Sequence, residues 1–184
     1  MMHKSCPTTP FDRSYWVIPG KFLAGYYPGD RDPAIMKQKM RDLLDCGIRC
    51  TINLMEVDER DHDGLPFRDY EPILKYLADG NLPITCHRLP FVDLGVPSKD
   101  FMIQILDLID TTLQQDHPIY IHCWGGRGRT GTVVGCWLVR HGIAEGESTL
   151  EKIRELRRTD AKAHWPSPEM PDQIRMVLSW EKGQ

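Results

Sequence analysis

The chain has 184 residues and a formal net charge of −3, with 27% charged and 41% hydrophobic residues. That length suits a single domain, 1–184, with a sizeable core, and the near-balanced charge gives no general attraction to nucleic acid or to an anionic membrane. No apolar run is long enough to span a bilayer, and the N-terminus lacks the apolar segment of a secretory leader.

Residues 1–13 are expected to form a flexible N-terminus. Tyr15 to Ile18 and Phe22 to Ala24 read as short strands broken by Pro19-Gly20. Asp32 and Pro33 then read as an N-cap and a first helical residue, with Met36, Met40, Leu43 and Leu44 on the apolar face and Gly47 at the end. Thr51 to Met55 predicts a strand, Tyr70 to Ala78 a helix, and Ile84 to Phe91 a further strand. From Ser98, apolar residues at 101, 105, 108, 109 and 113 predict a long helix. Ile119 to Ile121 is a short apolar strand, and Thr132 to Val139 is an apolar helical run. Ser148 and Glu151 have capping-box spacing for a helix through Arg158, and Pro171 to Trp180 predicts the last helix. The alternation of strand and helix signals indicates an α/β class.

Between the Ile119–Ile121 strand and the following helix lies His-Cys-Trp-Gly-Gly-Arg-Gly-Arg-Thr-Gly, residues 122–131. A strand, a glycine-rich loop and a helix N-terminus make an anion cradle, because free backbone N–H groups and the positive helix end converge there. Cys123 at the head of that cradle is a nucleophile facing a bound oxyanion. Arg129 offers a planar fork able to hold two phosphate oxygens at once. Gly125, Gly126 and Gly128 let the backbone turn its amides inward. Thr130 is placed to donate a hydrogen bond to the sulfur, and His122 to orient the loop from behind.

This run resembles the His-Cys-x5-Arg-Ser/Thr-Gly signature of the protein tyrosine phosphatase superfamily, and the short chain resembles its dual-specificity branch. The resemblance implies a central, mostly parallel sheet of about five strands with helices on both faces. It also implies two-step hydrolysis of a phosphomonoester through phosphocysteine, with no metal or cofactor, and an upstream aspartate as general acid. Asp93, in Leu89-Pro90-Phe91-Val92-Asp93-Leu94-Gly95-Val96-Pro97-Ser98, lies at a strand end running into a Gly/Pro loop and is similar to the family's acid loop; a turn-forming aspartate is the plainer alternative. Ile18 to Gly25 and Thr51 to Leu54 look like the early strands of compact members. Pro168 to Gln173 resembles a segment where some members position the hydrolytic water with a glutamine; Gln173 has either that role or that of a solvated residue in a first helical turn. No counterpart of the phosphotyrosine-clamping loop is found, so a shallow, tolerant pocket is expected.

Trp124 and Arg127 are the unusual loop residues. A cation at Arg127 resembles phosphoinositide phosphatases, whose loops hold a second phosphate there, although Trp124 stands where that loop type usually has another cation. The alternative for Arg127 is an outward arginine that assists any anionic substrate; for Trp124 the choices are a stacking platform or a packed wall. Tyr26 and Tyr27 either line the rim or pack inward. The acidic run Asp58 to Asp63 lacks calcium-loop spacing and reads as a solvated loop or a repellent of acidic substrates. His3, His87, His117, His141 and His164 are isolated, and Cys136 reads as core. The six cysteines include no Cys-x-x-Cys pair, which disfavours a zinc site or a disulfide scaffold and fits a reducing cytoplasm. Cys46, Cys50 or Cys86 is a candidate resolving partner for an oxidised Cys123.

The expected activity is therefore that of a protein tyrosine or dual-specificity phosphatase acting on a phosphorylated protein or another phosphomonoester. Phosphoinositide, inositol phosphate and RNA 5′-triphosphate remain as alternative substrates. A phosphate-recognising module without turnover, and a sulfur-transfer or arsenate-reducing protein, remain as alternatives of other classes.

Overall fold

The structure, a computed structural model, describes residues 8–78, 80 and 84–184, and among these described residues lie five strands and six helices. Five strands, β1 (Ser14–Ile18), β2 (Phe22–Gly25), β3 (Cys50–Asn53), β4 (Thr85–Arg88) and β5 (Ile119–His122), form one sheet in the order β1-β2-β5-β3-β4. Only the β1–β2 hairpin is antiparallel; β2–β5, β5–β3 and β3–β4 are parallel. This is the α/β sheet expected.

Six helices cover it: α1 (Pro33–Asp45), α2 (Glu71–Leu77), α3 (Lys99–Gln114), α4 (Gly128–Arg140), α5 (Glu147–Leu156) and α6 (Pro171–Leu178). Period-two alternation in the strands decides which residue faces which layer. Leu23 and Tyr120 pack with Met36, Met40, Leu43, Tyr70 and Leu74 of the α1–α2 side. Their neighbours Phe22, Ala24, Ile119 and Ile121 face the larger cluster built with Ile105, Ile109, Val133, Val134, Ile153 and Val177. Helices thus lie on both faces, and β5 is buried along its whole length.

Local signals acted as the sequence predicts at several ends. Asp32 Oδ1 accepts from the Ala34 amide at 2.8 Å, Gly47 follows α1 with φ +87°, and Ser98 Oγ accepts from the Phe101 amide at 3.2 Å. Elsewhere the predictions need correction. The Ser148–Glu151 capping box does not form: α5 begins at Glu147 after Gly146, and Ser148 Oγ is turned back onto the Glu145 backbone. That helix stops at Leu156, where Arg157 turns inward. The strand expected over 84–91 is confined to Thr85–Arg88, ahead of Pro90, which has no amide to offer a ladder. The strand expected over 51–55 spans Cys50–Asn53, because Asn53 Oδ1 caps the Met55 amide at 2.9 Å and turns the chain.

Of the stretch 1–13, residues 1–7 lie outside the described residues; in the remainder Thr8 and Asp12 are exposed and Phe11 is partly buried. Phe11 meets the rings of Tyr26 and Tyr120 edge-on at 5.9 and 5.7 Å. No helix among the described residues is long and apolar enough to cross a membrane.

Because β2, β3, β4 and β5 run parallel, the loops at their carboxyl ends gather on one edge of the sheet. That edge is where open α/β sheets form their crevice.

Candidate active site

Residues 123–127 leave β5 and enter α4 at Gly128, so the loop sits on a helix N-terminus whose first amides have no partner within the helix. Three of its carbonyls are held from outside. The Trp124 oxygen accepts from the Tyr27 amide at 3.0 Å, the Gly125 oxygen from Arg13 Nη2 at 2.9 Å, and the Arg127 oxygen from Ser167 Oγ at 2.8 Å. In a planar trans peptide the N–H points opposite to its C=O. Outward carbonyls at 124, 125 and 127 therefore turn the amides of Gly125, Gly126 and Gly128 toward the inner face of the loop. Gly126 is required as glycine: its φ is +73°, and a Cβ there would lie 2.7 Å from the Gly25–Tyr26 backbone. Gly125 has open space around it, so its expected steric role does not apply.

Cys123 is 3% exposed, and Thr130 Oγ1 lies 3.1 Å from its sulfur and 3.3 Å from the Gly25 carbonyl. His122 is fully buried behind the loop. Burial pushes its imidazole down to about 3, so the ring is neutral and carries one proton. The Cys123 carbonyl, 3.3 Å from Nδ1, can only accept, so Nδ1 holds that proton. Nε2 then accepts from the Tyr70 hydroxyl at 2.7 Å. A stability consequence follows. The unfolded chain binds this proton near the ordinary value of 6.5, and the native chain only near 3. The stabilisation is complete above pH 6.5 and is lost progressively as pH falls toward 3. Denaturant titrations at about pH 7 and about pH 4.5 are expected to show a larger acid loss in the wild type than in His122→Gln; equal losses would contradict a buried neutral ring.

Arg129 is fully buried, and its partners come from the loops that follow β3 and β4. Nη1 donates to the Leu54 and Phe91 carbonyls at 3.2 and 3.1 Å, and Glu59 takes both Nη atoms in a fork, the Nη2 contact being 2.9 Å. Asp93 Oδ1 lies 3.0 Å from Nη2. Burial opposes the guanidinium charge, but Glu59, Cys123 and Asp93 outweigh it and hold the arginine firmly protonated. The Nε–H is buried and has no partner among the described residues. Such a donor is costly to bury unless a ligand supplies the acceptor.

The structure brings the acid-loop candidate beside the arginine. Asp93 reaches the edge where Arg129 lies, in a turn closed by the Gly95 amide on the Val92 carbonyl at 3.1 Å. Gln173 is not solvated: it is fully buried, its Oε1 accepts from the Glu169 and Met170 amides, and its Nε2 donates to the Gly95 carbonyl at 2.9 Å. It thereby ties α6 to the Asp93 loop. Trp124 is half-buried against His62 and Phe67, and Tyr27 packs inward on Phe67 and Tyr70.

Two expectations need correction here. The acidic run is only in part a solvated loop: Asp58, Arg60, His62 and Asp63 are exposed, whereas Glu59 clamps Arg129 and Asp61 is paired with Arg31. Arg127 is not an outward arginine: it is ion-paired with Glu169 and stacks on Trp165 at 4.8 Å, with 12% of its side chain exposed. Two of the candidate resolving cysteines, Cys86 and Cys50, lie out of reach of Cys123. Cys86 pairs across Thr51 with Tyr120, which precedes Cys123 by three positions. At about 3.3 Å per residue and about 4.8 Å per strand it lies well beyond the roughly 7 Å Cα limit of a disulfide. Cys50, opposite Ile119, is farther along still. Sequence reasoning missed Arg13, Glu59, Tyr70, Ser167 and Glu169 as parts of this edge. Of these, Glu59 stood in the acidic run and Glu169 in the Pro168–Gln173 segment already singled out.

A family model described as "Polymorphic toxin system, DSP-PTPase phosphatase" matches residues 28–143. By sequence, the mouse dual specificity protein phosphatase CDC14B is 36% identical over 138 residues, 68% of this chain and 24% of that protein. By structure, PTPMT1 in complex with PI(5)P has a TM-score of 0.65 at 19% identity, covering 92% of this chain and 94% of that one. P. aeruginosa TpbA in complex with pTyr has a TM-score of 0.64 at 14% identity, covering 96% and 91%. The chain spans less than half the length of the relatives it matches by sequence. The glycine cradle, the buried arginine and the parallel sheet beneath them agree with the match across 28–143: the chain belongs to the DSP-PTPase phosphatase family.

Proposed function

We propose that the protein hydrolyses phosphomonoesters through a phosphocysteine intermediate. The observation that carries this is the pairing of Cys123, hydrogen-bonded by Thr130, with a buried Arg129 whose Nε–H has no acceptor among the described residues. Cys123 attacks phosphorus in line as the ester P–O bond breaks, while inward amides and Arg129 hold the charge on the equatorial oxygens. Asp93 gives its proton to the leaving oxygen. In the second step Asp93 takes a proton from water, whose oxygen displaces the sulfur and releases phosphate. Thr130 donates to the departing thiolate. His122 and Tyr70 hold the Cys123 carbonyl from behind. Gln173 holds the acid loop, and through that contact stands beside the path of the hydrolytic water. No step calls for a metal or an organic cofactor, and a working thiolate suits a reducing compartment such as the cytoplasm.

The substrate class proposed is a protein phosphotyrosine or phosphothreonine, a group carrying one phosphate. Arg127, the cation that would recruit a second phosphate, is already neutralised by Glu169 and stacked on Trp165. A bisphosphate must break that pair to gain from it. The names of relatives agree in part: CDC14B is a dual specificity protein phosphatase, whereas PTPMT1 was solved with PI(5)P.

The test is phosphate release from tyrosine and threonine phosphopeptides, mono- and bisphosphorylated inositides and triphosphorylated RNA, with Cys123→Ser as the blank. Cysteine-dependent release is expected from the peptides, with singly phosphorylated compounds preferred over bisphosphates. Release confined to bisphosphates or RNA keeps the chemistry and overturns the substrate. No cysteine-dependent release from any compound overturns the enzyme reading in favour of a binding module.

A further inference from the structure

We infer that Arg13 is a positioning residue for the phosphate cradle, acting through the Gly125–Gly126 peptide. Arg13 lies outside residues 28–143, the part matched by the family model. It immediately precedes β1, in a turn closed by Ser14 Oγ donating to the Phe11 carbonyl at 2.7 Å. Its φ of +60° places a non-glycine residue in the left-handed region, a strained conformation that persists only when its surroundings impose it. Two features impose it. Phe11 anchors the turn between Tyr26 and Tyr120, and the Arg13 guanidinium lies over the Tyr26 ring at 4.5 Å.

From that seat Nη2 donates to the Gly125 carbonyl at 2.9 Å across 112 residues of sequence. Pulling this carbonyl outward sends the Gly126 N–H inward, because the peptide is planar and trans. Gly126 is the loop residue at positive φ, and it has no side chain of its own to hold its orientation. The guanidinium also brings charge: among the described residues no carboxylate pairs with it. Arg13 thus both orients one amide donor and places an uncompensated cation behind the site where an anion binds, without touching that anion.

The kinetic readout rests on the proposed phosphatase chemistry, so an anion-binding readout is kept separate from it. In Arg13→Ala, kcat for p-nitrophenyl phosphate is expected to fall by roughly tenfold to a hundredfold, up to the loss of one oxyanion donor, while KM moves far less. Free guanidinium ion, but not sodium at the same ionic strength, is expected to restore most of that loss by occupying the slot on Tyr26. Arg13→Lys, which keeps the charge but loses the planar fork, is expected to fall between the two. Orthovanadate affinity, measured by direct titration, is expected to drop about tenfold in Arg13→Ala and to recover with guanidinium. That titration remains decisive even if the wild type shows no turnover. Unchanged kcat and vanadate affinity in a folded Arg13→Ala would overturn the inference. So would a loss that guanidinium does not repair and that tracks a lowered melting temperature in both variants, since that marks a structural contact only.

Discussion

Arg129→Lys is expected to lower kcat by about a thousandfold or more, the upper range for removing a charge-stabilising donor, with a smaller change in KM. Lysine retains the charge but has one compact ammonium where Arg129 uses a planar fork. The fork has two simultaneous duties. Its Nη atoms bind Glu59 and the Leu54 and Phe91 carbonyls, which fixes the plane of the guanidinium relative to the loop. Its buried Nε–H, together with Nη2 once Asp93 has moved off, is left for the oxygens of phosphorus. A lysine cannot satisfy Glu59 and the phosphoryl group together, so it stays with the carboxylate and leaves the transition state short of a bidentate partner. Steady-state kinetics on p-nitrophenyl phosphate, beside a melting curve to register the lost internal bonds, would check this. A folded variant retaining a tenth of wild-type kcat would remove Arg129 from the reacting centre.

Asp93→Asn should separate substrates by their leaving groups. For a phosphotyrosine peptide kcat is expected to fall by about a hundredfold to a thousandfold, within the usual contribution of a general acid; for p-nitrophenyl phosphate, whose phenolate leaves without a proton, the loss should be about tenfold or less. Asp93 lies 3.0 Å from Arg129 Nη2, and Gln173 grips the same loop two residues on, at the Gly95 carbonyl. On the proposed mechanism a phosphate competes for that arginine and frees the carboxyl to face the leaving oxygen. Equal losses for both leaving groups would take the acid role away from Asp93.

The cradle was legible because its chemistry is local. Residues 122–131 contain the sulfur, the arginine, the glycine at positive φ and the helix N-terminus within one continuous stretch, and short-range geometry brings them together. The same holds for the Asp32 and Ser98 caps and for the alternation that divides Leu23 and Tyr120 from Phe22, Ala24, Ile119 and Ile121. Where a local signal competed with its surroundings, it lost. Ser148 had the spacing of a capping box, yet the chain entered α5 through Gly146 and used the hydroxyl on Glu145.

Sequence alone was sufficient for an α/β class and for a strand–loop–helix arrangement that holds Cys123 and Arg129 together, with Asp93 as the proposed acid. Only the tertiary structure decided what stands behind these groups. Glu59 reaches Arg129 across 70 residues, Arg13 reaches Gly125 across 112, and Gln173 reaches Gly95 across 78. It also turned Arg127 from an apparent substrate cation into a brace on Glu169 and Trp165. The physical reason is that an exposed-looking charge or amide in a sequence has many possible partners. The parallel sheet selects among them by gathering the carboxyl-end loops of four strands on one edge, with the chain before β1 and the segment before α6 closing around them.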